Sequence, residues 1–207
     1  MEEKKYTVDW FSNNIPNWEF IFNYSNLKDK NNLNFLEIGC FEGRATSYLL
    51  ENILTGKNSK IHVIDTFEGS TNEVGMLGMN NDLDLGLNEL YAKFTHNISK
   101  YKDKVKIHQG LSSNILKNTF KNEFFDFAYV DGSHTAYDVL EDAVLLHKLI
   151  KPGGVIIFDD YLWQDPNNTS ITNSPKLAID CFINVYQDFY DILTKGYQVS
   201  LIKNKDK

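Results

Sequence analysis

Apolar runs of five to eight residues recur along the chain, and between them apolar positions return every three or four residues. The runs at Leu33–Ile38, Lys60–Asp65, Val105–Gln109, Phe124–Asp131 and Val155–Asp159 predict strands. The fourth, FFDFAYVD, is almost continuously apolar, as a strand covered on both faces is. In HTAYDVLEDAVLLHKLI, Val139, Ala143, Leu146 and Ile150 form one stripe of a predicted helix. Thr135 with Asp138 reads as a capping box at its start, and Pro152-Gly153-Gly154 as its stop. Strands alternating with helices predict βαβ units. FYDILTKGYQVSLIK breaks that rhythm and predicts two strands around Lys195-Gly196. The expected fold is α/β: a mostly parallel sheet, helices on both faces, and an antiparallel C-terminal hairpin.

Two stretches stand outside this alternation. Trp10, Phe11, Ile15, Trp18, Phe20, Ile21 and Phe22 predict an aromatic N-terminal helix or helix pair, packed on the sheet rather than serving as a lid. The segment Phe67–Leu83 is long and rich in glycine and asparagine for a strand-to-helix connection, and its expected role is a lid over an acceptor pocket.

At 207 residues, with no repeat and no linker, the chain is expected to form one domain over residues 1–207, with a helical cap at 1–30 and a core at 33–203. A net charge of −7 argues against nucleic acid as a partner, since phosphate recognition needs clustered cations. No run reaches the roughly 18 apolar residues of a membrane span, and the N-terminus lacks the apolar core of a secretory signal. The two cysteines, Cys40 and Cys181, suggest neither a disulfide framework nor a zinc site. A cytoplasmic protein is expected, with a homodimer as the default assembly.

The stretch FLEIGCFEGRATSYLL carries the first chemistry. Gly39 and Gly43 flank a turn from strand to helix, where ligands of open α/β sheets approach unpaired backbone N–H groups. A dinucleotide site calls for G-x-G-x-x-G, whereas the spacing here is G-x-x-x-G, with Glu37 before it and Glu42 within it. Two carboxylates repel a diphosphate and suit a ligand carrying positive charge, such as S-adenosylmethionine with its ammonium and sulfonium. The plain alternative is that Glu37 caps a neighbouring loop. Asp65 ends the second strand, where an acidic residue can accept the hydroxyls of an adenosine ribose. HQGLSS follows the third strand and is expected to flank the adenine, with Ser112 or Ser113 also a candidate helix cap.

In order, FLEIGCFEG, VIDTFEG, FDFAYVDGSH and LIKPGGVIIFDDY resemble the successive motifs of class I S-adenosylmethionine-dependent methyltransferases, and within them the macrocin-type sugar O-methyltransferase branch. The resemblance spans residues 33 to 203. It implies a Rossmann-like, seven-stranded sheet, and cofactor binding by Glu37, Gly39, Cys40, Phe41, Gly43, Asp65, Thr66, Phe67, Gly110, Leu111, Ser112 and Asp131. It also implies a divalent metal beside the acceptor, with carboxylate ligands, and in some members a histidine base.

DGSH and DDY close the fourth and fifth strands, so Asp131, Asp159 and Asp160 are expected to converge near the methyl donor and hold Mg²⁺. A hydroxyl is a weak nucleophile at neutral pH; a metal stabilises the developing alkoxide and a base takes the proton. His134 and Asp131 are the expected catalytic residues, with an acid at the place of Ser133 in some resembled members. The competing readings are that Asp131 caps a helix and that Asp159-Asp160 ends a strand in solvent. His62, His96, His108 and His147 have no comparable cluster and are expected to be structural. Tyr161, Trp163, Met76 and Met79 are candidate pocket walls. The expected activity is O-methylation of a small hydroxylated substrate such as a sugar. The alternatives are a metal-independent methyltransferase and a non-catalytic S-adenosylmethionine-binding module.

Overall fold

The computed structural model describes residues 3–69 and 87–204. After α1 (Ile15–Ser25) and β1 (Asn34–Ile38), α2 (Arg44–Tyr48) runs on into a π-helical turn, Leu49–Ile53. β2 (Lys60–Asp65), α3 (Leu87–Asn97), β3 (Val105–Gln109), α4 (Ser112–Thr119) and β4 (Phe125–Val130) follow. α5 (Ala136–Leu149), β5 (Ile150–Phe158), α6 (Pro175–Val185), β6 (Tyr190–Lys195) and β7 (Val199–Lys203) complete the chain. The seven strands form one sheet in the order β3-β2-β1-β4-β5-β7-β6. β1 to β5 pair in parallel, and β7 runs antiparallel to both β5 and β6. The α/β fold expected from the sequence is the one observed.

Alternating strand residues face opposite ways, so the sheet has two cores. Phe35, Val63, Phe127 and Val155 face the layer of α1, α2 and α3. Their sequence neighbours Leu36, Ile64, Ala128 and Ile156 face α4, α5 and α6. α1 packs on the sheet through Trp18, Ile21 and Phe22; the Phe22 ring lies 4.9 Å from that of Phe127, and Trp18 4.9 Å from Tyr129. No described helix is long and apolar enough to cross a membrane.

Three local expectations need correction. Pro152-Gly153-Gly154 does not separate helix from strand: α5 stops at Leu149, β5 begins at Ile150, and the three residues lie inside the strand. They loop out where the pairing shifts from Phe125↔Ile150 to Phe127↔Val155. Gly153 takes φ +81°, and a Cβ on Gly154 would meet Ile150 Cγ2 at 2.9 Å. Ile150 is buried as expected, but as a strand residue. Thr135 does stand at the start of α5, yet no capping bond to backbone forms. Its hydroxyl and that of Ser133 both donate to Asp138 Oδ2, at 2.7 and 2.8 Å. At the N-terminus, residues ahead of α1 lie along the protein as a strap, with a 3₁₀ turn at Ser12–Asn14. Most of the Phe67–Leu83 segment, with Met76 and Met79, lies outside the described residues.

Candidate active site

The carboxyl ends of β1, β2, β4 and β5 open onto a cavity of about 770 Å³. Its position follows from topology: β1 sits between β2 and β4, where the order of winding reverses. Gly39 lets the turn after β1 close against the turn after β4. Its φ is +79°, and a Cβ there would stand 2.1 Å from the Asp131 carbonyl oxygen, so no other residue fits. Gly39 N donates to Ile64 O at 2.9 Å and Asp131 N to Ile38 O at 2.8 Å, locking three strand ends together.

Asp65 organises this turn. Its Oδ2 accepts the backbone N–H groups of Cys40 (2.7 Å) and Phe41 (3.1 Å), and its Oδ1 that of Phe67 (2.7 Å). A carboxylate offers about four acceptor sites, so three are used within the protein. The expectation that Asp65 stands open to both ribose hydroxyls is corrected accordingly.

Glu37 lines the cavity with 1% of its surface exposed, and its Oε2 accepts from Thr46 Oγ1 at 2.6 Å. Burial pushes its carboxyl up to about 8, against the lowering by Thr46, and the nearby Asp65 charge adds to the rise. The fold thus disfavours the charged form of Glu37 in the ligand-free site. Glu42 also departs from expectation. Thr7 N (2.6 Å), Thr7 Oγ1 (2.5 Å) and Lys93 Nζ (3.2 Å) all bond to its buried carboxylate, so it lines the cavity as the anchor of the N-terminal strap. The strap then supplies Val8 to Phe11 as one wall of the cavity, with Trp10 5.4 Å from the Phe41 ring.

At the opposite end, His134 Nε2 lies 2.8 Å from Asp160 Oδ2. Asp131, His134 and Asp160 offer ligand atoms all within 4.8 Å of one another. Asp160 takes φ +55°, a left-handed conformation that an L residue adopts at a cost of about 1–3 kcal/mol. Asp159 is turned away from this set. Its Oδ1 accepts Asp160 N at 2.7 Å, and its Oδ2 accepts from Gln198 Nε2 at 2.9 Å and from the Tyr129 hydroxyl. Of the expected ligands, Asp131 and Asp160 stand together with His134, whereas Asp159 is bonded to Gln198 and Tyr129. The Tyr129 hydroxyl is also 2.9 Å from Asp131 Oδ2. A phenol donates one proton, so one of the two carboxyls must bring its own. Burial, then the charges of Asp159 and Asp160, hold Asp131 well above the ordinary carboxylate range. Burial and Asp160 raise Asp159 to about 6. Such a cluster fits a divalent cation, whose charge would offset the mutual repulsion.

Of the expected cofactor residues, Gly43 and Phe67 stand behind the cavity wall. Gly43 takes φ +79° against Phe94, and Phe67 is buried edge-on to Tyr91 at 5.0 Å. Glu37, Gly39, Cys40, Phe41, Asp65, Thr66, Gly110, Leu111, Ser112 and Asp131 all line the cavity. Trp163 lines it, with its ring 4.3 Å from that of His134, while Tyr161 points into the protein, donating to Asp180 Oδ1 at 2.9 Å. His62 and His108 pair with each other at 2.9 Å, away from the site.

Sequence reasoning missed several groups. Tyr129, Tyr197 and Asp142 line the cavity. Gln198 joins the site to α1 by accepting from Trp18 Nε1 at 2.8 Å. Asp142 is 3% exposed, and its Oδ1 has no hydrogen-bond partner. Its signal was present: it lies one residue before Ala143, beside the apolar stripe of α5.

Residues 36–161 match the family described as "Methyltransferase domain". Over 150 residues the chain is 26% identical to uncharacterized protein R132 of Acanthamoeba polyphaga mimivirus, covering 67% of this chain and 56% of that protein. Over 100 residues it is 31% identical to a caffeoyl-CoA O-methyltransferase of Pinus taeda, covering 46% of this chain and 36% of that protein. The chain spans about half the length, or less, of the curated relatives it matches. Its fold is similar to that of an O-methyltransferase from Bacillus cereus in complex with S-adenosylhomocysteine. The TM-score is 0.61 at 18% identity, over 96% of this chain and 84% of the other, a likeness of fold.

Proposed function

The chain belongs to the methyltransferase-domain family, and on that premise we propose that it moves the methyl group of S-adenosylmethionine to a hydroxyl of a small molecule such as a sugar. One observation carries the reading: a single cavity joins the glycine turn held by Asp65 to the Asp131, His134 and Asp160 cluster. A donor bound at the first and an acceptor at the second would share one enclosed space.

Each group then has a role. Gly39, Cys40 and Phe41 present the turn against the methionine part of the cofactor, and Asp65 holds that turn in shape while its remaining acceptor site faces one ribose hydroxyl. Glu37 faces the positively charged end. Gly110, Leu111 and Ser112 flank the adenine. Asp131, His134 and Asp160 are the residues that would hold a divalent cation such as Mg²⁺. When bound, the ion lowers the pKa of a coordinated hydroxyl and stabilises its alkoxide. In this reading His134 serves the ion through the Nε2 that faces Asp160, so that nitrogen cannot also take the hydroxyl proton, which passes to solvent. The strap residues Trp10 and Phe11 help exclude water, and Asp159, through Tyr129, orients Asp131.

Calorimetric titration tests the reading at its base: S-adenosylhomocysteine is expected to bind and NAD is not. A preference for NAD sinks it. Turnover of methyl groups then separates an enzyme from a binding module, and turnover in a chelator separates metal-assisted from metal-independent transfer.

A further inference from the structure

We infer that Asp142 reads the base of the cofactor, accepting the 6-amino group of its adenine on Oδ1; the inference rests on the methyltransferase reading above. Asp138, Glu141 and Asp142 of α5 all line the cavity. The first two are occupied. Asp138 Oδ2 accepts the hydroxyls of Thr135 (2.7 Å) and Ser133 (2.8 Å), and Glu141 Oε1 pairs with Lys117 Nζ at 2.6 Å. Asp142 is 3% exposed, yet among the described residues no donor reaches its Oδ1. Every other buried side-chain nitrogen or oxygen of the described residues has a partner. Buried polar atoms are paired as a rule, so an unpaired acceptor on a cavity wall calls for a donor from whatever binds there.

The surroundings of Asp142 identify that donor. Gly110, Leu111, Ser112 and Ser113 line the same cavity, and the Ser112 hydroxyl bonds to Asp142 through its other oxygen. Asp142 therefore stands at the end of the cavity where the loop after β3 flanks the adenine. The edge of adenine carries one donor, the 6-amino group, beside the acceptor N1. The protein offers the complementary pair there. Oδ1 is the acceptor, and the backbone N–H groups that open α4 (Ser112–Thr119) have no acceptor within their own helix. A 6-oxo base reverses the pattern, setting oxygen against Oδ1 and a ring N–H against backbone N–H groups. Such a mismatch is rejected more strongly than a misfit on an apolar wall, because it leaves buried polar groups unpaired.

Three ligands that share ribose and amino acid and differ at position 6 of the purine test this. They are S-adenosylhomocysteine, its analogue with hydrogen in place of the amino group, and S-inosylhomocysteine with its 6-oxo group. They are titrated into the protein near pH 8.5, where the Asp142 carboxyl, raised by burial to about 7, is ionised and both its oxygens accept. S-adenosylhomocysteine is expected to bind about tenfold or more tightly than the 6-hydrogen analogue, and S-inosylhomocysteine more weakly still. Asp142→Leu keeps the branched shape and cannot accept a hydrogen bond. In that variant S-adenosylhomocysteine and the 6-hydrogen analogue are expected to bind within about threefold of each other. Equal binding of these two by the wild type overturns the inference, whether or not the variant folds. So does a preference that survives in Asp142→Leu, including a uniform loss of affinity for all three ligands, the mark of a purely structural Asp142. Failure of all three to bind the wild type overturns the underlying methyltransferase reading instead, so the two outcomes are distinct.

Discussion

His134 Nε2 and Asp160 Oδ2 stand 2.8 Å apart, while Asp159, next to Asp160 in the chain, faces into the protein toward Gln198 and Tyr129. Adjacent carboxylates therefore do different work, and substitution should separate them. Asp160→Asn and His134→Ala are each expected to weaken Mn²⁺ binding about tenfold or more, read by electron paramagnetic resonance. Asp159→Asn should leave ion affinity within a few-fold and lower stability instead, by about 1–3 kcal/mol in chemical denaturation, because it disturbs a buried hydrogen-bonded carboxylate. His134→Ala should also slow methyl transfer about tenfold or more at limiting Mg²⁺, through the weakened ion site. Loss of ion binding in Asp159→Asn alone would restore the ligand set expected from sequence.

Asp65 should prove as much a structural residue as a ligand contact. Removing its side chain leaves the N–H groups of Cys40, Phe41 and Phe67 without their acceptor. Asp65→Ala is expected to cost about 1–3 kcal/mol of stability in denaturant and to weaken S-adenosylhomocysteine binding about tenfold or more. Lost affinity with unchanged stability would instead make Asp65 a pure ribose contact.

The N-terminal strap depends on Glu42. Its buried carboxylate gathers Thr7 and Lys93, and Asn97 adds bonds to Lys5 O (2.8 Å) and Glu42 O (2.9 Å). Glu42→Gln keeps the size and removes the charge. Amide exchange in the segment around Thr7 should accelerate by an order of magnitude or more while the β-sheet amides stay protected. Unchanged exchange around Thr7 would show that the strap is held by its other contacts.

The division between what could and could not be read in the chain has a physical basis. Lys60–Asp65 and Val105–Gln109 were legible to the residue, because apolar runs bounded by polar turns leave one solution for a strand buried in a parallel sheet. Gly39 and the carboxylates of Asp131 and Asp160 were legible because glycine turns and acids at strand ends mark the ligand edge of such a sheet. The fate of each carboxylate was not. Glu42 and Asp159 look like Glu37 and Asp160 in sequence, and only long-range partners decide among them: Thr7 for the first, Gln198 and Tyr129 for the second. Those partners lie 35 or 30 and more residues away in the chain. Local pattern carries no information on such contacts.

Asp142 gives the pH dependence. Burial raises its carboxyl to about 7; the Ser112 hydrogen bond lowers it, and the charges of Asp138 and Glu141 raise it. In the unfolded chain the same group titrates near 3.9. Between those values the folded protein holds a proton that the unfolded chain has released, so this group's contribution to stability is complete below about pH 4, falls as pH rises to about 7, and is level above. Asp142→Asn keeps the shape and cannot ionise. Its thermal denaturation midpoint should match that of the wild type near pH 4 and exceed it near pH 8. The difference at pH 8 should be on the order of 2–4 kcal/mol, from about three units of titration range at roughly 1.4 kcal/mol each. Unpaired Oδ1 works in the same direction, since an amide in that place desolvates no charge. A difference that is constant across pH 4 to 8, or that shrinks as pH rises, would mean that Asp142 is ionised in the fold throughout, with a hydrogen-bond donor reaching its Oδ1.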